Sequence, residues 1–579
     1  MRHKDYGIWQ EITWQEYYDR SEILASGLAE LGVRKGDFVS IIGENCPEWL
    51  YIDMGAQMMG ATTVGIYTTN AWEQVQYVVD HSESKILFAE NEEQVDKWLK
   101  FRSTSPHLEK VIYWDDKGLT DLEDEALMRF EDLMTLGAEN LEKNRSLIKD
   151  TSDSIQEDDT AILVYTSGTT GQPKGAMLTN KNLIWAAHTL AGIEEGNNVR
   201  EDEEIMSFLP LCHIFERTFS VYLHLVRGYT INFVESIDTV PQNLREIHPT
   251  IGYAVPRIWE KFHSRIVIQM EDADWFNKQV YKFFLRISER YHDKIENGEN
   301  PGVLLKVGNY IGQYAVFYWI KERLGMEKMR HAFSGAAPIS PDILRFYRNI
   351  GLMLVEGYGM TETSAIISFS TLNDYKYGTV GRPLIGSQVR LSEEGEILAK
   401  HPGIFKGYYK NPEATEAALV DGWMHTGDIG EIDEDGYIRI VDRKKDLIIT
   451  AAGKNIAPQY IENKLKFSPY INDAIVIGDR RKYLTAILVL DEENVNKYAQ
   501  DNKVVYATYA ELAENEEISK LIDKEVQKVN KGLANVQTIK KFKILSKRLY
   551  QEDGEMTPTM KVKRAYINNT YSELIESMY

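Results

Sequence analysis

The chain predicts an α/β protein: a large N-terminal region of α/β subdomains on parallel-type sheets, followed by a small α+β C-terminal domain. Three observations carry this. Short apolar runs alternate with helical patterns through much of the chain. A long aromatic helical stretch interrupts the alternation. The last quarter then turns to charge-dense strand–turn–strand sequence.

The elements follow in order. FVSIIGEN (38–45) is a strand running into a turn, and WLYIDMGAQMMGA (49–61) has helical periodicity. TTVGIY and AWEQVQYVVDHS repeat the pair, and KILFAE returns to strand. Strands separated by helices argue for a parallel sheet with helices on its faces. The acidic stretch EDEALMRFEDL (123–133) reads as a solvated helix face. Strands resume at AILVYTSG (161–168), TINFV (230–234), IGYAV (251–255) and LMLVEGYG (352–359). Between the last two, WFNKQVYKFFLRISERYHDKI (275–295) puts Trp275, Phe276, Val280, Phe283, Phe284, Ile287 and Tyr291 on one helical face. GNYIGQYAVFYWIKERLG (308–325) continues this insert. From about Asp442 the character changes: GYIRIVDRKKDLIITAAGKNIAP (436–458), a strand YLTAILVL (483–490) and an amphipathic helix EEISKLIDKEVQKVNKGL (516–533). The division expected is 1–441 and 442–579.

The totals fit a multidomain globular chain. It has 579 residues, with 66 Lys and Arg against 88 Asp and Glu, a net charge of −22. Such a surface speaks against non-specific nucleic-acid binding, which needs cations to neutralise phosphates. It also speaks against a general attraction to anionic lipid, while leaving a local basic patch open. Two cysteines, Cys46 and Cys212, make no disulfide framework and suit a reducing compartment. The start MRHKDYGIWQEITW has no apolar core of a signal peptide. YIDMGAQMMGATTVGIY (51–67) is short and holds Asp53, so it reads as buried helix and turn. A cytoplasmic protein is expected.

YTSGTTGQPKG (165–175) is the most informative stretch. A Gly, Ser and Thr loop with one Lys directly after a strand is a phosphate-cradle pattern, because backbone N–H groups and hydroxyls can turn toward an anion. The Walker spacing fails: Gly168 and Gly171 are followed by Gln172-Pro173-Lys174-Gly175. The loop is therefore a phosphate loop of another type, with a solvated turn as the bland alternative.

The whole string YTSGTTGQPKGAMLTN resembles the signature loop of the adenylate-forming superfamily, which includes acyl-CoA synthetases, firefly luciferase and peptide-synthetase adenylation domains. Further motifs follow in order. LPLCHIFER (209–217) resembles the segment with the substrate-side His213. SGAAPI (334–339), with Gly335 and Ala336, resembles the turn along the adenine. Glu356, Gly357, Tyr358 and Gly359 lead into YGMTET (358–363), similar to the motif that meets phosphates and metal. WMHTGDIG (423–430) brings Asp428, and VDRKKDLI (441–448) brings Asp442 and Arg443. PTMKVKR (558–564) offers Lys561. VPRIWEKF (255–262), the helical insert after it and AAGKNIAPQYIE (451–462) are similar to long-chain fatty acyl-CoA synthetases in particular.

The resemblance implies two half-reactions. A fatty acid carboxylate attacks the α-phosphate of ATP, giving acyl-AMP and pyrophosphate; coenzyme A then takes the acyl group and AMP leaves. It implies that Thr166, Ser167, Gly168, Thr169, Thr170, Gly171 and Lys174 hold phosphates, that Thr361 donates to the α-phosphate, and that Glu362 with Thr166 binds Mg²⁺. Tyr358 offers a face to adenine; Asp428 and Arg443 meet the ribose. Lys561 bridges the carboxylate and the α-phosphate, and its neighbours Lys563 and Arg564 read equally as surface charges. Asp442 is the hinge of a mobile C-terminal domain, which later presents Ala452, Gly453 and Lys454 to CoA. FERTFSVYLHLVRGYTINF (215–233) supplies apolar lining for an acyl tunnel, or plain core. Two departures stand out: Ala451-Ala452 replaces a glycine pair, and Arg217 lies near where relatives have an aromatic gate. The rivals are a fatty acyl-AMP ligase serving a carrier protein and a non-catalytic nucleotide and fatty-acid binding protein. Oligomeric state is open, a homodimer included, and a lipid substrate makes transient peripheral membrane contact reasonable.

Overall fold

Phe38–Ile42, Thr62–Ile66 and Ile86–Ala89 are almost wholly buried strands, the mark of parallel strands covered on both faces. In the computed structural model, which describes all residues but 167–171, 193–201, 552 and 558–560, they form the middle of an eight-stranded sheet. Its order is Gly407–Tyr408, Lys174–Thr179, Thr160–Thr166, Thr62–Ile66, Phe38–Ile42, Ile86–Ala89, Lys110–Tyr113, Leu127–Arg129. The six strands from Thr160–Thr166 to Leu127–Arg129 pair in parallel, with helices Pro47–Met58 and Trp72–Ser82 as crossovers. At Thr160–Thr166 the chain instead folds straight back, pairing Thr166 with Lys174 in antiparallel register. The glycine-rich sequence thus joins two antiparallel neighbours, Thr160–Thr166 and Lys174–Thr179.

A second sheet has Ile251–Ala254, His331–Ser334 and Leu354–Tyr358 in parallel, extended by two short antiparallel strands. The N-terminal strands Arg2–Asp5 and Ile8–Glu11 join Thr230–Phe233 and Glu204–Ser207. Gln388–Leu391, Glu396–Lys400, Trp423–Ile432 and Ile438–Arg443 make a further antiparallel sheet. The C-terminal part has its own sheet, Ile471–Ile477, Leu484–Leu490 and Ile539–Ile544, over its own apolar cluster. It meets the rest through Lys497 and Asp272 (2.6 Å), Arg257 and Asn472 (3.2 Å), and the stacked rings of His263 and Phe467 (5.0 Å).

Two expectations need correction. The acidic stretch 123–133 is not one helix face: Leu127–Arg129 is the edge strand of the large sheet, and the helix begins only at Phe130. Pairing with Val111–Tyr113 overrides local propensity there. The apolar face expected on 275–295 is divided. Phe284 and Ile287 press on the following helix, 2.9 and 3.1 Å from where a Cβ at Gly312 and Gly308 would stand. Trp275, Phe276 and Phe283 remain exposed.

Candidate active site

The carboxyl ends of parallel strands are where open α/β sheets bind ligands, and Leu354–Tyr358 delivers three of the expected residues there. Glu356 is buried, and burial pushes its carboxyl up to about 8. It is therefore neutral at physiological pH, able to donate as well as accept. Gly357 is half-buried between the buried Glu356 and Tyr358. Gly359 is forced: an added Cβ would stand 2.0 Å from the Ala365 carbonyl oxygen. Gly335 packs against Phe215, and Ala336 takes the left-handed backbone (φ 67°) in the neighbouring turn.

The Tyr358 hydroxyl donates to Asp428 Oδ2 at 2.6 Å. Asp428 is buried on Trp423–Ile432 and lies directly across the ladder from Arg443. Arg443 Nε reaches Asp428 Oδ1 at 2.9 Å. Burial first, and then the Asp428 charge, hold the Tyr358 hydroxyl protonated, so it remains a donor. Each Asp428 oxygen keeps a second lone pair for a ligand hydroxyl.

Glu362 sits in the turn Thr361–Thr363, buried with Thr361. Tyr408 donates to Glu362 Oε1 at 2.6 Å, and its ring lies 5.1 Å from the Lys174 ammonium. Tyr408 thus links the lysine of the glycine-rich hairpin to the carboxylate. Sequence reasoning missed it, since one tyrosine in GIFKGYYK carries no signal; its strand pairing with Ala176 is what places it. Tyr77 donates to the Pro173 carbonyl at 3.0 Å and steadies the same hairpin. Thr166 ends its strand beside Lys174. Ser167, Gly168, Thr169, Thr170 and Gly171 lie outside the described residues.

His213 caps the short helix Ile214–Arg217, its Nδ1 accepting from the Phe215 N–H at 3.2 Å. Burial, and next the charge of Lys561, lower it to about 4, so the imidazole is neutral. Lys561 comes from the other end of the chain. Its backbone closes a turn on Thr557, at 2.7 and 3.0 Å. The side chain keeps access to solvent, but crowding by protein lowers its pKa to about 8, Arg443 acting with that effect and Asp428 against it. Lys561, Arg443, Asp428 and His213 therefore share one electrostatic field.

Asp442 is fully buried. Its carboxylate accepts from the N–H of Arg443 at 2.7 Å and of Gln459 at 3.1 Å, tying the strand to helix Pro458–Lys466. Burial raises it to about 6. Ala452, Gly453 and Lys454 form an exposed turn between Ile448–Ile449 and Asn455–Ile456. The left-handed position falls on Gly453 (φ 72°), so Ala451-Ala452 brings no strain. No hydrogen bond among the described residues ties this turn to Asp428 or Lys561. Arg564 is a structural cation, bonded to Glu462 (2.7 Å) and the Val476 carbonyl (2.8 Å).

Among the described residues no cluster of three or more His, Cys, Asp or Glu could hold a metal alone. Mg²⁺ takes few protein carboxylates beside phosphate oxygens and water, and the Glu362 carboxylate and the Thr166 hydroxyl are donors of that kind.

An apolar pocket lies beyond Phe215, lined by Leu190, Phe219, Leu223, Ile251, Phe333 and Phe369. Phe215 and Phe219 stand edge to face at 5.3 Å, and Phe219 stacks on Tyr253 at 4.4 Å. This aromatic row leads from the His213 helix to the cavity. Arg217 is no part of it. It is fully buried, paired with Asp53 and Thr63, with its guanidinium 4.8 Å from the centre of the Trp49 ring.

With this geometry in place, the chain can be set beside known proteins. The profile of the AMP-binding enzyme family matches residues 3–409, and that of the AMP-binding enzyme C-terminal domain matches 445–579. A long-chain-fatty-acid–CoA ligase, FadD15 of Mycobacterium bovis, is 33% identical over 576 residues, covering 99% of this chain and 93% of its own. The carboxylic acid reductase A domain from Segniliparus rugosus, solved with AMP and a co-purified carboxylic acid, superposes with TM-score 0.70 at 20% identity, over 99% of this chain and 87% of that one. O-succinylbenzoate CoA synthetase of Bacillus subtilis, solved with ATP and magnesium, gives 0.65 at 22% identity, over 97% and 95%.

Proposed function

We propose, from the premise that the chain belongs to the AMP-binding enzyme family, that it is an ATP-dependent ligase. It activates a long-chain fatty acid as acyl-AMP, releasing pyrophosphate, and transfers the acyl group to coenzyme A, releasing AMP. The observation that carries this reading is that Lys561 lies in the field of Arg443, Asp428 and His213, with Asp428 bonded to Tyr358 and ion-paired with Arg443.

Joining two anions gains mostly from positioning and charge neutralisation. Lys174 and the glycine-rich hairpin hold the β- and γ-phosphates. The Thr361 hydroxyl donates to the α-phosphate. Asp428, fixed by Tyr358 and Arg443, accepts from the ribose hydroxyls, and Glu356, Gly357 and the Gly335–Ala336 turn border the base. Glu362 and Thr166 would hold Mg²⁺, which would supply charge neutralisation at the phosphates. Lys561 spans the incoming carboxylate oxygen and the α-phosphate. His213, neutral, borders the acyl carbonyl. Asp442 is the pivot about which the part from 442 to 579 turns after adenylation, withdrawing Lys561 and presenting Ala452, Gly453 and Lys454 to CoA.

The apolar cavity beyond Phe215 suits an alkyl chain, each buried CH₂ contributing about 0.8 kcal/mol. The test is a product assay with ATP, Mg²⁺ and acids from short to long, with CoA present or omitted. AMP and acyl-CoA, strongest with long chains, are expected. Acyl-AMP and pyrophosphate alone, even with CoA, would replace CoA by a carrier protein as acceptor. No acyl-AMP from any acid would overturn the reading.

A further inference from the structure

The helical insert carries an exposed surface that the ligase reading does not use. Its two long helices, Trp275–Glu296 and Gly302–Gly312, pack along Phe284 and Ile287 against Gly308 and Gly312. The second continues through Gln313–Phe317 into Tyr318–Leu324. Inward, Tyr281 and Phe317 join the core cluster of Trp259, Phe262 and Met326, which line a second apolar pocket.

The outward face is apolar as well. At about 100° per residue, Val303, Leu304, Val307, Tyr310, Ile311 and Tyr314 fall within an arc of roughly 120°, and all six are exposed, Leu304 at 89%. Trp319 follows at 58%. On the neighbouring helix Trp275, at 75%, stands with Phe276 and Phe283. An unpartnered apolar surface of this extent marks an interaction site.

Charge says with what. Lys282, Arg286 and Arg290 alternate with those aromatic side chains on the exposed side of the first helix, and Lys306 is exposed on the second. None of the four takes part in an ion pair formed among the described residues. Over 275–325 there are eight Lys and Arg against five Asp and Glu, in a chain whose net charge is −22. Tryptophan and tyrosine favour the headgroup level of a bilayer, and basic side chains beside an apolar face favour anionic lipid.

We propose that the hairpin 275–319 is a membrane-docking surface, which lays its aromatic and aliphatic face into the headgroup region of an anionic bilayer. No helix of the described residues is long and apolar enough to cross a membrane. The contact is therefore interfacial and reversible.

The experiment is co-sedimentation of the full chain with vesicles, no substrates present. One set is phosphatidylcholine alone, the other equal parts phosphatidylcholine and phosphatidylglycerol. Binding is expected to the anionic vesicles and to fall as salt is raised, since screening weakens contacts with surface charge. Lys282→Ala/Arg286→Ala/Arg290→Ala should weaken it roughly 100-fold, from about fivefold per basic residue. Leu304→Ser/Trp319→Ser should remove it while the melting curve stays as in the parent protein. Three results overturn the proposal: no binding to anionic vesicles, binding unchanged in both variants, or a concentration-dependent dimer in solution that Leu304→Ser/Trp319→Ser dissolves. Because no ATP or acid is present, failure here leaves the ligase reading untouched, and failure of the product assay leaves this one untouched.

Discussion

Asp428→Asn separates nucleotide recognition from folding. In the native arrangement one carboxylate oxygen accepts from Tyr358 at 2.6 Å and the other is ion-paired with Arg443 at 2.9 Å. Asparagine keeps one acceptor. Its carbonyl must face Arg443, which can only donate, so its amide faces Tyr358, whose hydroxyl can turn to accept. The network survives, and stability should fall by only about 1–2 kcal/mol. The ribose fares worse. It loses a carboxylate able to accept from both hydroxyls, at about 1.5 kcal/mol for each charge-assisted bond. One such bond is lost and the other becomes a neutral one, about 2 kcal/mol together, which corresponds to a fall of roughly 30-fold in kcat/KM for ATP. The assay is pyrophosphate release with a saturating fatty acid and no CoA, comparing ATP with its 2′-deoxy and 3′-deoxy analogues. The parent enzyme should discriminate against both analogues, and Asp428→Asn should discriminate much less. If the variant rejects the deoxy analogues as strongly as the parent does, Asp428 does not read the ribose, whatever its effect on rate.

Lys561→Ala should slow acyl-AMP formation roughly 10²-fold or more, the usual scale for one key electrostatic contact. The lysine acts protonated and its pKa is lowered to about 8, so kcat/KM for adenylation should be full below pH 8 and fall as pH rises through it. The variant should lose that limb. Asp442→Pro fixes φ and removes the N–H; it should impair thioester formation more than adenylation, measured as separate half-reactions, and equal loss in both would count against a pivot. Leu223→Trp fills part of the apolar cavity. Losing room for two methylenes should lower kcat/KM for the longest acids about 15-fold relative to shorter ones, read from a chain-length series.

The buried parallel strands were legible because they are near-continuous apolar runs, and the site motifs because they are dense local strings. What stayed hidden depends on partners distant in sequence. Leu127–Arg129 is three residues long and acidic on both sides; only the open edge at Val111–Tyr113 makes it a strand. Arg217 could be named but not placed, since its partners Asp53 and Thr63 lie far upstream. Tyr408 reaches Glu362 because Gly407–Tyr408 pairs with Lys174–Thr179, a contact no local pattern encodes. The aromatic face of 275–295 had the correct period, but periodicity cannot say which part meets protein and which is left outside. Gly308 and Gly312 decide that, by admitting Phe284 and Ile287.

The lysine's lowered pKa also bears on why the small domain should leave after the first half-reaction. Lys561 stands near Arg443, a like charge, with Asp428 as its nearby anion, and Asp428 is already engaged by Arg443 and Tyr358. Without substrate the charged lysine is held there against crowding and repulsion. ATP and a carboxylate reverse the balance, since both bring negative charge to the point the ammonium faces; the pKa in the complex then rises, and kcat should hold to higher pH than kcat/KM. Adenylation consumes the carboxylate charge, and pyrophosphate carries more away. What remains is one singly charged phosphate, ester-linked to the ribose and joined to the acyl group as a mixed anhydride, beside Arg443 and Lys561 together. On the proposed mechanism, the anionic attraction that seats Lys561 is greatest before the bond forms and weakest just after it, so the chemistry itself would loosen the domain that performed it.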